Sequence, residues 1–197
     1  MCYDRVHQHS IYRSRMSGGQ IKHQRETNMT KTKRTIEDFL ETVEDNYKDF
    51  VRGLNEILLA EEYNLRIQMT KNNGLSISYT KPKMKWRLLG LSVRDNQLVI
   101  HINAEHYKKY PDLLNNMPEV VKEHLENVYI CPKITNLSKC WKSCEPGYDF
   151  RVDDKNYQAC RYDCFKMKVN KENIPFLLEL VELEIRERMV SSYGVSA

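Results

Sequence analysis

The apolar residues of this chain change from a helical to an alternating period near residue 65, and that change limits what it can fold into. Ile36, Phe39, Leu40, Val43, Tyr47, Phe50, Val51, Leu54, Ile57 and Leu58 recur at three- and four-residue intervals. That spacing puts one apolar stripe on a helix and predicts a single long helix from Thr35 to Glu62. Thr35 followed by Asp38 reads as its capping signature. From Leu65 onward the interval drops to two: Leu65, Ile67 and Met69, then Leu75, Ile77 and Tyr79. Asn72-Asn73-Gly74 between the two runs is a turn signal, so they read as a hairpin. A third strand is expected over Lys83–Arg94, with Met84, Trp86 and Leu88 on one face. A fourth follows the Asp95-Asn96 turn through Leu98, Ile100 and Ile102.

Beyond residue 104 the elements are shorter. Residues 104–110 read as a brief helix ended by Pro111, and Pro118 opens another through Val121 and Leu125. Strands are expected at Tyr148–Val152, Asn156–Cys160 and Phe165–Val169. A last amphipathic helix runs from Glu172 or Asn173 to about Met189. The sum is an α+β domain: a mainly antiparallel meander with a long N-terminal helix, middle helices and a C-terminal helix packed on it. The expected boundaries are 1–34 for a disordered basic tail and 35–190 for one domain, with a frayed terminus at 191–197. A cysteine-rich hairpin lies inside the domain at 131–168.

Charge supports that division. The net charge is +4, yet residues 1–34 hold eight Lys and Arg against Asp4 and Glu26, so residues 35–197 carry about −2. The basicity belongs to the tail, and nucleic-acid binding is not expected except through it. The tail lacks an apolar signal core; an Arg-rich transit peptide is a minor reading of it, and Met16 and Met29 are alternative starts. No run approaches 18 apolar residues, so no membrane-spanning helix is expected. The GxxxxGK[ST], GxGxxG, HExxH and GxSxG signatures are absent from the sequence.

Six cysteines carry the strongest chemical signal. Cys140-x3-Cys144 and Cys160-x3-Cys164 form two equal pairs separated by fifteen residues. Two local pairs suit the four thiolates of a structural zinc site, and the stretch between them reads as a hairpin that would bring them together. With Asp154-Lys155 as its turn, Cys144 falls opposite Phe165. The expected metal ligands are Cys140, Cys144, Cys160 and Cys164, with zinc as the cofactor. Cys131, nine residues before Cys140, is a substitute for one of them. Free thiols, disulfides and an iron–sulfur cluster stand as alternatives. A catalytic thiol has no histidine partner by motif.

The element order and the run Lys-Cys-Trp-Lys-Ser-Cys … Tyr-Gln-Ala-Cys resemble small bacterial α+β proteins of unknown function with paired C-x3-C motifs. The resemblance spans roughly Thr35–Arg188. It implies a bacterial, cytoplasmic protein and carries no activity across.

Two other clusters stand out. Lys81, Lys83, Lys85 and Arg87 alternate, as on one strand face; a solvated or lysine-defended edge accounts for them as well as an anion site does. His101, Glu105 and His106 are close enough in sequence to line a pocket, with His106 as acid or base. His124, in phase with a helix's apolar stripe, is expected to be a packed residue. Two functions follow. One is a non-enzymatic binding or interaction domain stabilised by structural zinc, with a small molecule or a protein as its partner. The other is a small-molecule sensor or small enzyme using a pocket near His101, Glu105 and His106.

Overall fold

The structure, a computed structural model, describes residues 34–192 except 72, 73, 83, 85, 137–139 and 141. The expected tail therefore lies outside the described residues, apart from Arg34, and so do residues 193–197. No helix among the described residues is long and apolar enough to cross a membrane.

The domain is α+β, with one five-stranded antiparallel sheet and one two-stranded sheet. Its first helical segment is not continuous. Helix α1 (Ile36–Leu40) stops after little more than a turn, and α2 (Asp45–Ala60) restarts beyond Glu44. The backbone N–H of Thr35 donates to Asp38 Oδ2 at 2.6 Å, the capping contact the sequence implied. The break follows from Thr42, whose hydroxyl donates to the carbonyl of Phe39 at 2.7 Å. Phe39, Leu40, Val43, Val51, Leu54 and Leu58 stay buried across it.

Strands β1 (Asn64–Met69), β2 (Leu75–Thr80), β3 (Leu89–Arg94) and β4 (Gln97–Ile102) form the expected meander. Of the first turn, Asn72 and Asn73 are outside the described residues. Asp95 and Asn96 take φ of 50° and 58°, the left-handed pair that a tight hairpin requires. The third strand begins six residues later than expected. Among the described residues of the stretch 81–88 none belongs to a strand: β2 ends at Thr80, and its pairing with β3 begins at Tyr79↔Leu89. The alternating basic face is therefore not a strand face. Lys81 lies over the Tyr63 ring at 5.4 Å, Arg87 turns to His101, and Lys83 and Lys85 are not among the described residues.

After a 3₁₀ turn at Tyr107–Lys109 come three short helices: α3 (Pro111–Asn115), α4 (Glu119–Glu126) and α5 (Pro132–Thr135). Strands β5 (Tyr148–Val152) and β6 (Lys155–Ala159) form the small sheet, and β7 (Lys166–Lys168) returns to pair with β4. The β5–β6 turn is Asp153-Asp154, with Asp153 at φ 51°, one residue earlier than expected. That shifts the facing pairs by two positions. Helix α6 (Ile174–Ser192) closes the chain, capped by reciprocal bonds of 2.9 Å between Asn170 and Asn173. One core joins Phe39, Tyr79, Ile100, Phe165, Leu177 and Leu180. Leu98 through Ile102 of β4 are buried without alternation, so both faces of that strand are covered.

Gly147, just before β5, packs directly on β6. A Cβ there would stand 2.0 Å from the Ala159 carbonyl oxygen and 3.0 Å from the Arg161 nitrogen. Both obstacles are backbone and cannot rotate away. Gly147→Ala is expected to lower the unfolding free energy by about 1–3 kcal/mol. Urea unfolding checks this; a stability equal to wild type would show that the small sheet moves freely.

Candidate functional site

The cysteine region is built on the small sheet. A further segment joins it: Ile130 bridges Ala159 antiparallel, the Cys131 N–H donates to the Gln158 carbonyl, and the Cys160 N–H donates to the Tyr129 carbonyl, both at 2.7 Å. Strand alternation then puts Cys131 and Cys160 on one face. The Gly147 N–H points at Cys131 Sγ at 3.2 Å. Helix α5, which starts directly after Cys131, presents Lys133, whose ammonium donates to the carbonyls of Lys142 (3.1 Å) and Cys144. That clasp holds the 142–144 turn beside Cys131.

Cys140 and Cys144 come from this irregular stretch. The Cys144 thiol has Cys140, Cys160 and Cys131 among the neighbours that influence it electrostatically. Burial, then these neighbours, push its thiol up to about 11. Burial likewise raises the Cys160 thiol, with Cys131 and Cys140 among the neighbours that add to the effect. The thiols of Cys131, Cys140, Cys144 and Cys160, from three chain segments, thus influence one another electrostatically. Cys164 differs. Its side chain is fully buried and belongs to the hydrophobic core beside Phe165. Burial raises its thiol well above the usual range, with Asp163 and Cys160 as its nearest electrostatic influences. Its carbonyl accepts from His124 Nε2 at 3.0 Å, which ties α4 to the 160–164 turn and gives His124 a structural role.

All five described cysteines are free thiols. The raised Cys144, Cys160 and Cys164 are protonated at neutral pH, unlike the thiolates that nucleophilic catalysis needs. Among the described residues no group of three or more His, Cys, Asp or Glu side chains is arranged to hold a metal ion. Cys144 Sγ instead donates to the Glu145 carbonyl at 3.4 Å. That contact exists only while the sulfur keeps its proton. Thiolates are donors of the type that a soft ion takes, so the side chains suit such an ion by their chemistry.

Among the described residues, His101 makes contacts separate from those of Glu105 and His106. Arg87 Nη2 meets His101 Nδ1 at 3.0 Å, so the ring's Nε2–H faces the Arg161 carbonyl at 3.4 Å. Burial first, and then Arg87, lower the His101 pKa to about 4. His101 is a neutral bridge from the sheet to the 160–164 turn. Arg161 itself lies over the rings of Tyr148 (5.4 Å) and Trp86 (6.0 Å), and its buried Nη1 has no hydrogen-bond partner among the described residues.

Glu105 and His106 join a buried ionic network that the sequence reading did not anticipate. Glu184, fully buried on α6, accepts from the His106 N–H (2.7 Å), the Tyr110 hydroxyl (2.9 Å) and Arg188 Nε (3.2 Å). Arg188 also reaches Glu105 at 3.3 Å and donates to the carbonyls of Trp86 and Asn103. A signal was present: Glu184 and Arg188 are four apart and in phase with Leu177, Leu180 and Val181. Ser191 Oγ lies 3.3 Å from His106 Nε2, and His106 Nδ1 lies 3.3 Å from Glu184, the order of a nucleophile, base and carboxylate. The hydroxyl, however, donates to the Glu187 carbonyl at 2.9 Å, and Glu184 is shared among structural donors. The arrangement fastens the end of α6. A separate open cleft of about 380 Å³ between α3 and the start of α6 carries Asp112, Glu172 and Glu179, and none of the three residues above lines it.

No family model, curated protein or solved structure matches this chain.

Proposed function

We propose that this chain is a bacterial, cytoplasmic binding or interaction domain whose cysteine region is closed by a structural zinc ion. The observation that supports the reading is the bridge of Ile130 to Ala159, which puts Cys131 and Cys160 on one face, with the Cys144 backbone tied to helix α5 by Lys133. Four protein thiolates leave no open position for water, so the ion's role is to hold the fold rather than to act on a substrate. A reducing compartment keeps such thiols available to metal. Support for an interaction surface comes from Ile130 and Tyr162, which flank the thiols in sequence and are 57% and 53% exposed. Zinc would fix the loops that present them.

The test is metal analysis of the full chain purified under reducing conditions. About one equivalent of zinc is expected. Its removal by chelator should cost about 4 kcal/mol where free zinc stands near a thousandfold above the dissociation constant. Hydrogen exchange should then speed up across 129–164 while the β1–β4 meander stays protected. A metal-free protein that takes up no zinc and is equally stable with or without it sinks the reading. The sensor or enzyme reading near His101, Glu105 and His106 rests on the Ser191–His106–Glu184 line. A metabolite-specific thermal shift, lost in His106→Ala, would favour it instead.

A further inference from the structure

We infer that the fourth thiolate of the zinc site is Cys131, beside Cys140, Cys144 and Cys160, and that Cys164 is a core side chain outside the metal's reach; this rests on the zinc reading above. A tetrahedral zinc with sulfur at roughly 2.3 Å needs four sulfurs within about 4 Å of one another. The ladder puts two of the cysteines on one face as diagonal neighbours. Residues 131 and 160 flank the Ile130↔Ala159 bridge and project from the same face. The Lys133 clasp ties the backbone of Lys142 and Cys144 to helix α5, which starts directly after Cys131.

Cys131 also has the surroundings of a ligand. It is buried, at 2% exposure, yet it stands outside the main hydrophobic cluster. The Gly147 amide aims at its sulfur at 3.2 Å, the kind of outer-shell donor that stabilises a bound thiolate. Cys164 has the opposite setting: it is fully buried and packed into the core with Phe165. The ligand spacing becomes Cys131-x8-Cys140-x3-Cys144-x15-Cys160. Binding sends the thiol protons to solvent, so uptake should acidify a weakly buffered solution.

The experiment measures zinc content and zinc affinity of the full chain for wild type, Cys131→Ala and Cys164→Ala, with circular dichroism to confirm folding. Cys131→Ala should lose at least about 100-fold in affinity, beyond the range for losing an outer-shell partner. Cys164→Ala should keep one equivalent at near wild-type affinity. The reverse pattern overturns the assignment while leaving the zinc reading intact. Wild type that binds no zinc overturns both. Where a variant fails to fold, alkylation mapping of the wild type decides. Chelation should make Cys131, Cys140, Cys144 and Cys160 reactive together and leave Cys164 unchanged. Release of Cys164 with the other three, and not of Cys131, would overturn the inference.

Discussion

Glu184→Ala is expected to lower the unfolding free energy by about 3–5 kcal/mol, a large share of a domain's total stability. The carboxylate is fully buried and holds together three pieces of chain: α6 itself, the backbone at His106, and the Tyr110 hydroxyl. Its removal leaves Arg188, only 4% exposed, with Glu105 as its one remaining carboxylate among the described residues. An uncompensated buried charge is costlier than the ion pair is favourable, so the direction does not depend on what the intact pair contributes. The same reasoning predicts the double variant. Glu184→Leu combined with Arg188→Met removes both charges, keeps the volume apolar, and should recover most of the loss. Tyr110 keeps its hydroxyl without a carboxylate partner there, so recovery should fall short of wild type. Urea unfolding of the three proteins checks this. A Glu184→Ala chain within about 1 kcal/mol of wild type would mean that water or Glu105 replaces Glu184, and that the network is not what anchors α6.

How far the sequence could be read depended on how local each cause was. The meander was legible because alternation and the Asp95-Asn96 turn are settled within a few residues. The break at residues 41–44 was not, because the turn made by Thr42 keeps the apolar stripe in phase on both sides. Residues 81–88 alternate like a strand, but a strand needs a partner, and β2 had already ended at Thr80. The β5–β6 register missed by two positions because Asp153, Asp154 and Lys155 are all acceptable turn residues, and only the φ of 51° at Asp153 selects among them. The thiols show the same division. Equal spacing pointed to Cys140, Cys144, Cys160 and Cys164, and the last of these is packed in the hydrophobic core. Cys131 reaches Cys160 through a single bridge, Ile130↔Ala159, which is too short to leave a periodic signature. Glu184 and Arg188 were visible as charges in an apolar phase, but their partners at Glu105, His106 and Tyr110 are about 75 to 85 residues away in the chain.

Acid should destabilise the domain through His101, and the window follows from the shift itself. The ring is 8% exposed and its pKa falls from its ordinary 6.5 to about 4, chiefly by burial and then by the Arg87 guanidinium, with Lys166 adding to the effect. The Arg161 carbonyl and Asp163 act in the other direction and do not reverse it. Below pH 6.5 the unfolded chain takes up a proton at this position that the folded chain refuses. Unfolding is then favoured as pH falls. The stabilising contribution is present above pH 6.5 and is lost progressively down to about pH 4. The full shift corresponds to about 3 kcal/mol. His101→Gln removes the titration while keeping an acceptor for Arg87 and a donor for the Arg161 carbonyl. Between pH 7 and pH 4.5 wild type should therefore lose about 2–3 kcal/mol more than the variant, since the carboxylates titrate alike in both. Stability curves that run parallel over that range would show that His101 protonates without cost. The Arg87–His101–Arg161 bridge would then open to water, and the link between the sheet and the 160–164 turn would not depend on a neutral ring.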